Sequence, residues 1–96
     1  MGEADVRDAV GRLVAMLRDA GRSEETVRQQ RVVLDRFADF LTGRGLAAAS
    51  DEVCIDFVAN QTGVRLGSLR ESVKDRGARA VRQPVLLMAD VLAGRC

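Results

Sequence analysis

The sequence predicts an all-α domain, a four-helix, bundle-like orthogonal arrangement, and three observations carry that reading. Apolar residues recur at alternating steps of three and four along most of the chain, which is the period of a helix face and not of a strand. Polar cap residues and glycines stand where those stretches would start and stop. The composition of one Pro, three aromatics and 47% apolar residues in 96 suits a single helical domain over 1–96. A chain of this size buries roughly 60–70% of its unfolded surface, so a modest core and a marginally stable independent fold are expected.

The first helix is expected from about Ala4 to Ala20, with Val6, Val10, Leu13 and Leu17 on one face. Gly11 is a tolerated weak point inside it, and Gly21 stops it. The second runs from Glu24 to about Thr42. Its stripe is Val27, Gln30, Leu34, Phe37 and Leu41, widened by Val33 and Phe40. Ser23 stands at the N-cap position, Glu24 and Glu25 oppose the positive helix end, and Gly43 with Gly45 supply the stop. Gln30, on the core stripe, is expected to be a polar group with its hydrogen bonds satisfied.

After a small, polar connection from Gly43 to Ala49, Ser50 caps a third helix whose first turn carries Asp51 and Glu52. Val53, Cys54, Phe57 and Val58 form its core face, and it ends near Gln61 to Gly63. From Val64 to Asp75 no convincing period remains, which predicts a loop with one short helical turn. The last stripe, Ala78, Val81, Val85, Met88 and Leu92, has Pro84 in its middle. Proline lacks the N–H that would bond the Ala80 carbonyl and clashes with it. A helix from about Arg76 to Ala93 kinked at Pro84, or two shorter helices, would satisfy this. The kink is favoured because the three-four phase continues through the proline, and Gly94 ends the helix.

Charge narrows the functional classes. The net charge is +1, too small for a generic polyanion binder. Of the fifteen basic residues fourteen are Arg, a bias that a GC-rich genome explains as well as a preference for bidentate phosphate contacts. From Arg65 to Gln83, six basic residues (Arg65, Arg70, Lys74, Arg76, Arg79, Arg82) face two acidic ones (Glu71, Asp75), a local excess of +4. Arg76, Arg79 and Gln83 share a face of the last helix away from the apolar stripe, where two cations and an amide suit phosphate and groove-edge contacts. The competing reading of the same residues is a solvated helix end, but Arg near a helix start gains nothing from the helix dipole, which favours contact.

On the second helix, Arg28, Arg31, Asp35 and Asp39 lie opposite the stripe, with Glu24 four residues before Arg28 and Arg31 four before Asp35. That is first a pattern of intrahelical ion pairs, worth a few tenths of a kcal/mol each. Leu86 and Leu87 carry the apolar surface almost around the last helix, a place for a partner outside this chain.

The two cysteines suggest neither a CxxC pair nor a disulfide framework; Cys54 reads as a small core residue and Cys96 as the last residue. With no His and no clustered ligands, neither a metal nor a cofactor is expected. No apolar run approaches the roughly 20 residues of a membrane span, and Met1 opens no basic-then-apolar leader, so a cytoplasmic protein is expected.

The run Ser23-x-x-Thr26-Val27, then Leu34, Phe37, Phe40 and Leu41, resembles the second helix of the core-binding domain of tyrosine recombinases, the phage integrase family. The usual run there is Ser-x-x-Thr-aliphatic-x-x-Tyr-x-x-x-Leu-x-x-Phe-x-x-aromatic-Leu, and Gln30 stands where that family usually has an aromatic. A preceding helix ending in Leu17-Arg18-Asp19-Ala20-Gly21 and two following helical segments repeat the family's order over most of the chain. The resemblance implies a SAM-like DNA-binding arm that clamps duplex DNA for site-specific recombination or integration. It also implies, as partners, the C-terminal catalytic domain of a parent protein and other recombinase protomers on DNA.

In that family the catalytic domain carries Arg, Lys, His and Tyr residues that cut and rejoin strands through a phosphotyrosine. This chain contains no Tyr and no His, so that chemistry is outside it and it is read as non-enzymatic. By the same resemblance Arg28 and Arg31 would reach phosphates or base edges and the hydroxyls of Ser23 and Thr26 phosphate oxygens. The local charge excess adds Lys74, Arg76, Arg79 and Gln83 to the expected contact surface. Glu24 and Glu25 oppose a phosphate at that helix start. The competing class is a helical protein-interaction or dimerisation module, in which the charged faces are only solvated.

Overall fold

The computed structural model describes residues 3–46 and 49–94. They form four helices and no strand: α1 (Glu3–Asp19), α2 (Glu24–Gly43), α3 (Asp51–Thr62) and α4 (Arg76–Leu92). Cys96 lies outside the described residues.

Local signals set most of the helix ends. Ser23 is the N-cap of α2 and Ser50 that of α3, their hydroxyl oxygens accepting from the Thr26 and Val53 N–H groups. These bonds satisfy donors that have no partner inside the helix. At the end of α2, Gly45 at φ 69 lets its N–H reach the Thr42 carbonyl at 3.0 Å and the Leu46 N–H reach that of Leu41 at 2.9 Å. This paired closure places Leu46 against the core. Gly21, at φ 80, closes α1 in the same way, with its own N–H on Arg18 and that of Arg22 on Leu17.

One core joins all four helices. Val6, Leu13, Leu34, Phe37, Phe57, Val85 and Met88 are all at or below 1% exposure. The Phe37 ring lies 4.8 Å from that of Phe57, and Phe40 meets Phe57 edge-on at 5.3 Å, so aromatic rings join α2 to α3. α4 packs against each of the other three helices. That explains why few of its residues after Gln83 are polar: Pro84, Val85, Met88 and Ala89 are buried and Leu86, Leu87, Val91 and Leu92 half-buried. A helix covered on most sides needs an apolar stripe wider than a surface helix does.

α4 is one helix through Pro84, as the favoured reading expected, and not two shorter ones; the proline ring is itself fully buried. Other elements differ from the sequence expectations. Residues 64–75 contain a turn at Leu69 and Arg70 but no helical turn, yet Leu66 and Leu69 are buried. Gln30 is half-buried and its Oε1 atom is buried without a hydrogen-bond partner among the described residues, where a satisfied amide was expected. An unpaired buried acceptor costs about 1–3 kcal/mol. Leu86 and Leu87 pack against the core, so the chain covers part of that surface itself. No helix among the described residues is long and apolar enough to cross a membrane.

Candidate nucleic-acid interface

The candidate residues fall into two groups. At the start of α2, the Ser23 Oγ accepts from the Thr26 N–H at 3.2 Å and donates to the Thr26 Oγ1 at 3.0 Å. Both hydroxyls therefore serve the cap before any ligand arrives. Arg28 pairs with Glu25, and Arg31 Nε lies 3.8 Å from Asp35. The Arg31–Asp35 pair has the expected spacing; the Glu24–Arg28 pair does not form, because Glu24 instead meets Arg18 of α1 at 3.5 Å. Asp39 likewise turns to Arg7 of α1. These pairs are exposed and contribute little stability, but they neutralise the cations at close range.

Two shallow depressions lie along the α1–α2 seam. One, of about 350 Å³, is lined by Arg18, Glu24, Glu25, Val27, Arg28 and Arg31. The other, of about 400 Å³, has Arg18, Arg31, Arg7 and Asp35 around Val10, Gly11 and Val14. Neither is lined by any of Lys74, Arg76, Arg79 or Gln83, so the cavities do not unite the two groups.

The second group sits at the start of α4. Asp75, a cap not anticipated above, accepts from the Ala78 N–H at 2.9 Å. Its signal is present in the sequence, as an Asp immediately before a helical stripe. Lys74 and Arg76 are exposed and make no side-chain hydrogen bond or ion pair among the described residues. Arg79, also exposed, donates from Nε to the Val73 carbonyl at 3.1 Å and from Nη2 to that of Lys74 at 3.4 Å. Arg82, half-buried, donates from Nη1 to the carbonyls of Leu69 and Glu71, both at 3.2 Å. Gln83 is exposed on the same helix.

Tertiary structure changes the local charge. Arg65 meets Asp56 of α3 at 2.9 Å and Arg70 meets Asp90 of α4 at 2.7 Å. The hydrogen bond that Arg70 donates to the Asp90 carboxylate, followed by the Asp90 charge, raises the Arg70 pKa above its ordinary value. Two carboxylates from outside the stretch thus offset two of its cations, and the +4 excess of residues 65–83 falls to +2. What remains is concentrated at Lys74, Arg76, Arg79 and Arg82, whose partners are neutral carbonyls or none.

Cys54 is fully buried on α3, and desolvation pushes its thiol from 9.0 up to about 12, with the nearby Asp51 charge adding to the rise. The thiolate needed for nucleophilic or metal chemistry is suppressed there. Among the described residues no group of three or more His, Cys, Asp or Glu side chains could hold a metal ion. No protein-family model, curated protein or solved structure compared with the chain matches it.

Proposed function

We propose that the chain is the DNA-binding arm of a site-specific tyrosine recombinase, a SAM-like core-binding domain that grips duplex DNA for recombination or integration. On this reading it has no catalytic role of its own and works beside the C-terminal catalytic domain of a parent protein and other protomers on DNA. The observation that carries the proposal is the exposed cation pair Lys74 and Arg76, which makes no ion pair among the described residues and lies next to Arg79 and Gln83 at one end of α4. Cations without carboxylate partners release the counterions of a phosphate backbone on contact, and that release drives non-specific binding. Arg28 and Arg31 are secondary contacts, because each must exchange a carboxylate for a phosphate. A residual excess of only +2 places affinity at the weak end, with Kd of roughly 10⁻⁴ to 10⁻⁶ M at physiological salt.

An NMR titration with duplex DNA at low salt tests this. Shifts centred on Lys74 to Gln83, with smaller ones at Arg28 and Arg31, are the expected result. Arg76→Ala with Arg79→Ala should lower the salt slope by about one for each phosphate that is no longer neutralised. Absence of shifts at millimolar DNA overturns the reading. The interaction-module alternative draws on half-buried Leu86 and Leu87, and concentration-dependent shifts there without DNA would favour it.

A further inference from the structure

The twelve residues Val64 to Asp75 have no regular structure, and loops of that length are commonly disordered or functional. This one is fixed in place. Leu66 and Leu69 enter the core at 9% and 1% exposure, and Arg70 is tied to Asp90 on α4. Two arginines of α4 then hold its backbone. Arg82 takes the carbonyls of Leu69 and Glu71, and Arg79 those of Val73 and Lys74.

Resting on the DNA-binding reading above, we propose that Arg82 is a positioning residue, holding the connection so that Lys74 and Arg76 are presented in a fixed place to the phosphates of a duplex. Three features carry this. Arg82 is half-buried, its Nε atom is buried with no hydrogen-bond partner among the described residues, and its Nη1 atom is already committed to the backbone of the connection. Its Nη1 bonds neutral carbonyls, which leaves its positive charge uncancelled while fixing the backbone. The held carbonyls end three residues before Lys74, where Arg79 continues the hold. A backbone ordered before binding spares the association the entropy of ordering it then. Arg suits the task because its fork holds a fixed direction, whereas the flexible Lys ammonium does not.

The experiment compares Arg82→Gln with wild type, alone and in a Lys74→Ala, Arg76→Ala background, by duplex titration across salt concentrations and by amide hydrogen exchange over residues 69–74. R82Q is expected to bind DNA roughly tenfold more weakly, to exchange faster between Leu69 and Lys74, and to cause no further loss once Lys74 and Arg76 are gone, the non-additivity of residues acting as one unit. Should R82Q lose its helical circular dichroism, R82K replaces it. It keeps the charge and is expected to weaken binding as well, so wild-type binding by R82K would show that only charge matters and overturn the proposal. Wild-type affinity in R82Q, or a further loss in the doubly substituted background, overturns the role of Arg82 while the DNA reading stands. Failure of the wild-type chain to bind DNA removes both.

Discussion

Helix α2 and the connection 64–75 differ in where their order comes from. In α2 the order is local: a Ser cap, an apolar residue at every third or fourth step, and Arg28 and Arg31 answered by carboxylates within about one turn. The connection has no period, and apart from Asp75 capping α4 at its end it is anchored mainly through more distant partners, among them Asp56, Arg82 and Asp90, 9 to 20 residues away in sequence. Lack of pattern in a sequence is therefore not lack of structure. It marks a segment whose partners lie on other elements, and for the same reason a charge count taken along such a segment misstates its field.

The largest effects should come from apolar side chains in both regions, and they test whether the two are equally part of the core. Phe37→Ala removes a ring at 0% exposure that touches Phe57, and a loss of about 3–5 kcal/mol is expected. Leu69→Ala, in the connection and 1% exposed, should cost about 2–5 kcal/mol if that loop is anchored in the core. Urea melts followed by circular dichroism measure both. A Leu69→Ala protein within a few tenths of a kcal/mol of wild type would make the connection a loose loop and end the comparison.

Next in size is a pH effect on α3, the helix that Arg65 of the connection reaches through Asp56. The folded Cys54 pKa of about 12 lies above its ordinary 9.0, so between those values the unfolded chain releases a proton that the folded one keeps. Stability from this group is complete below pH 9 and falls as pH rises toward 12. Denaturant midpoints across that window should fall more steeply in wild type than in Cys54→Ala. Equal slopes would mean that the thiol is not desolvated, and labelling of Cys54 in a Cys96→Ala chain at about pH 8, just below the ordinary thiol pKa, should likewise need unfolding.

Smaller effects separate backbone from packing. A Cβ at Gly11, inside α1, would meet nothing within 4 Å, so Gly11→Ala should stabilise by about 0.5–1 kcal/mol through helix propensity alone. Pro84→Ala gains a hydrogen bond to the Ala80 carbonyl but loses a fully buried ring, and a net change within about 1 kcal/mol is expected in a thermal melt. A loss well beyond that would show that α4 needs the bend a proline imposes.

The smallest effects concern charge and bear directly on the contrast. Asp56→Asn with Asp90→Asn frees Arg65 and Arg70 and returns the excess of residues 65–83 from +2 to +4. Duplex affinity should rise a few-fold at low salt, roughly a 1 kcal/mol effect, and the gain should fade at high salt. Asp35→Asn, which frees Arg31 on α2, should change affinity less, because Arg28 there remains paired with Glu25. Equal responses would place the interface on α2 and the connection alike.

By itself the sequence determined the four helices, their starts and stops, and most of the core. Ser23, Ser50, Gly21 and Gly63 act within a few residues of their own positions, and the stripes of α1 and α2 follow from the pitch of a helix. The same local logic made Arg31–Asp35 legible. Only the tertiary structure decided that Glu24 and Asp39 turn to α1, that the Gln30 oxygen has no partner among the described residues, and that Leu69 is buried. It also decided that Arg79 and Arg82 hold backbone carbonyls and that two carboxylates from α3 and α4 halve the basic excess. The division has one physical cause. Helix caps and periodicity are set by bonds spanning three or four residues, whereas a side chain's charge partner or burial depends on which distant element folding brings beside it.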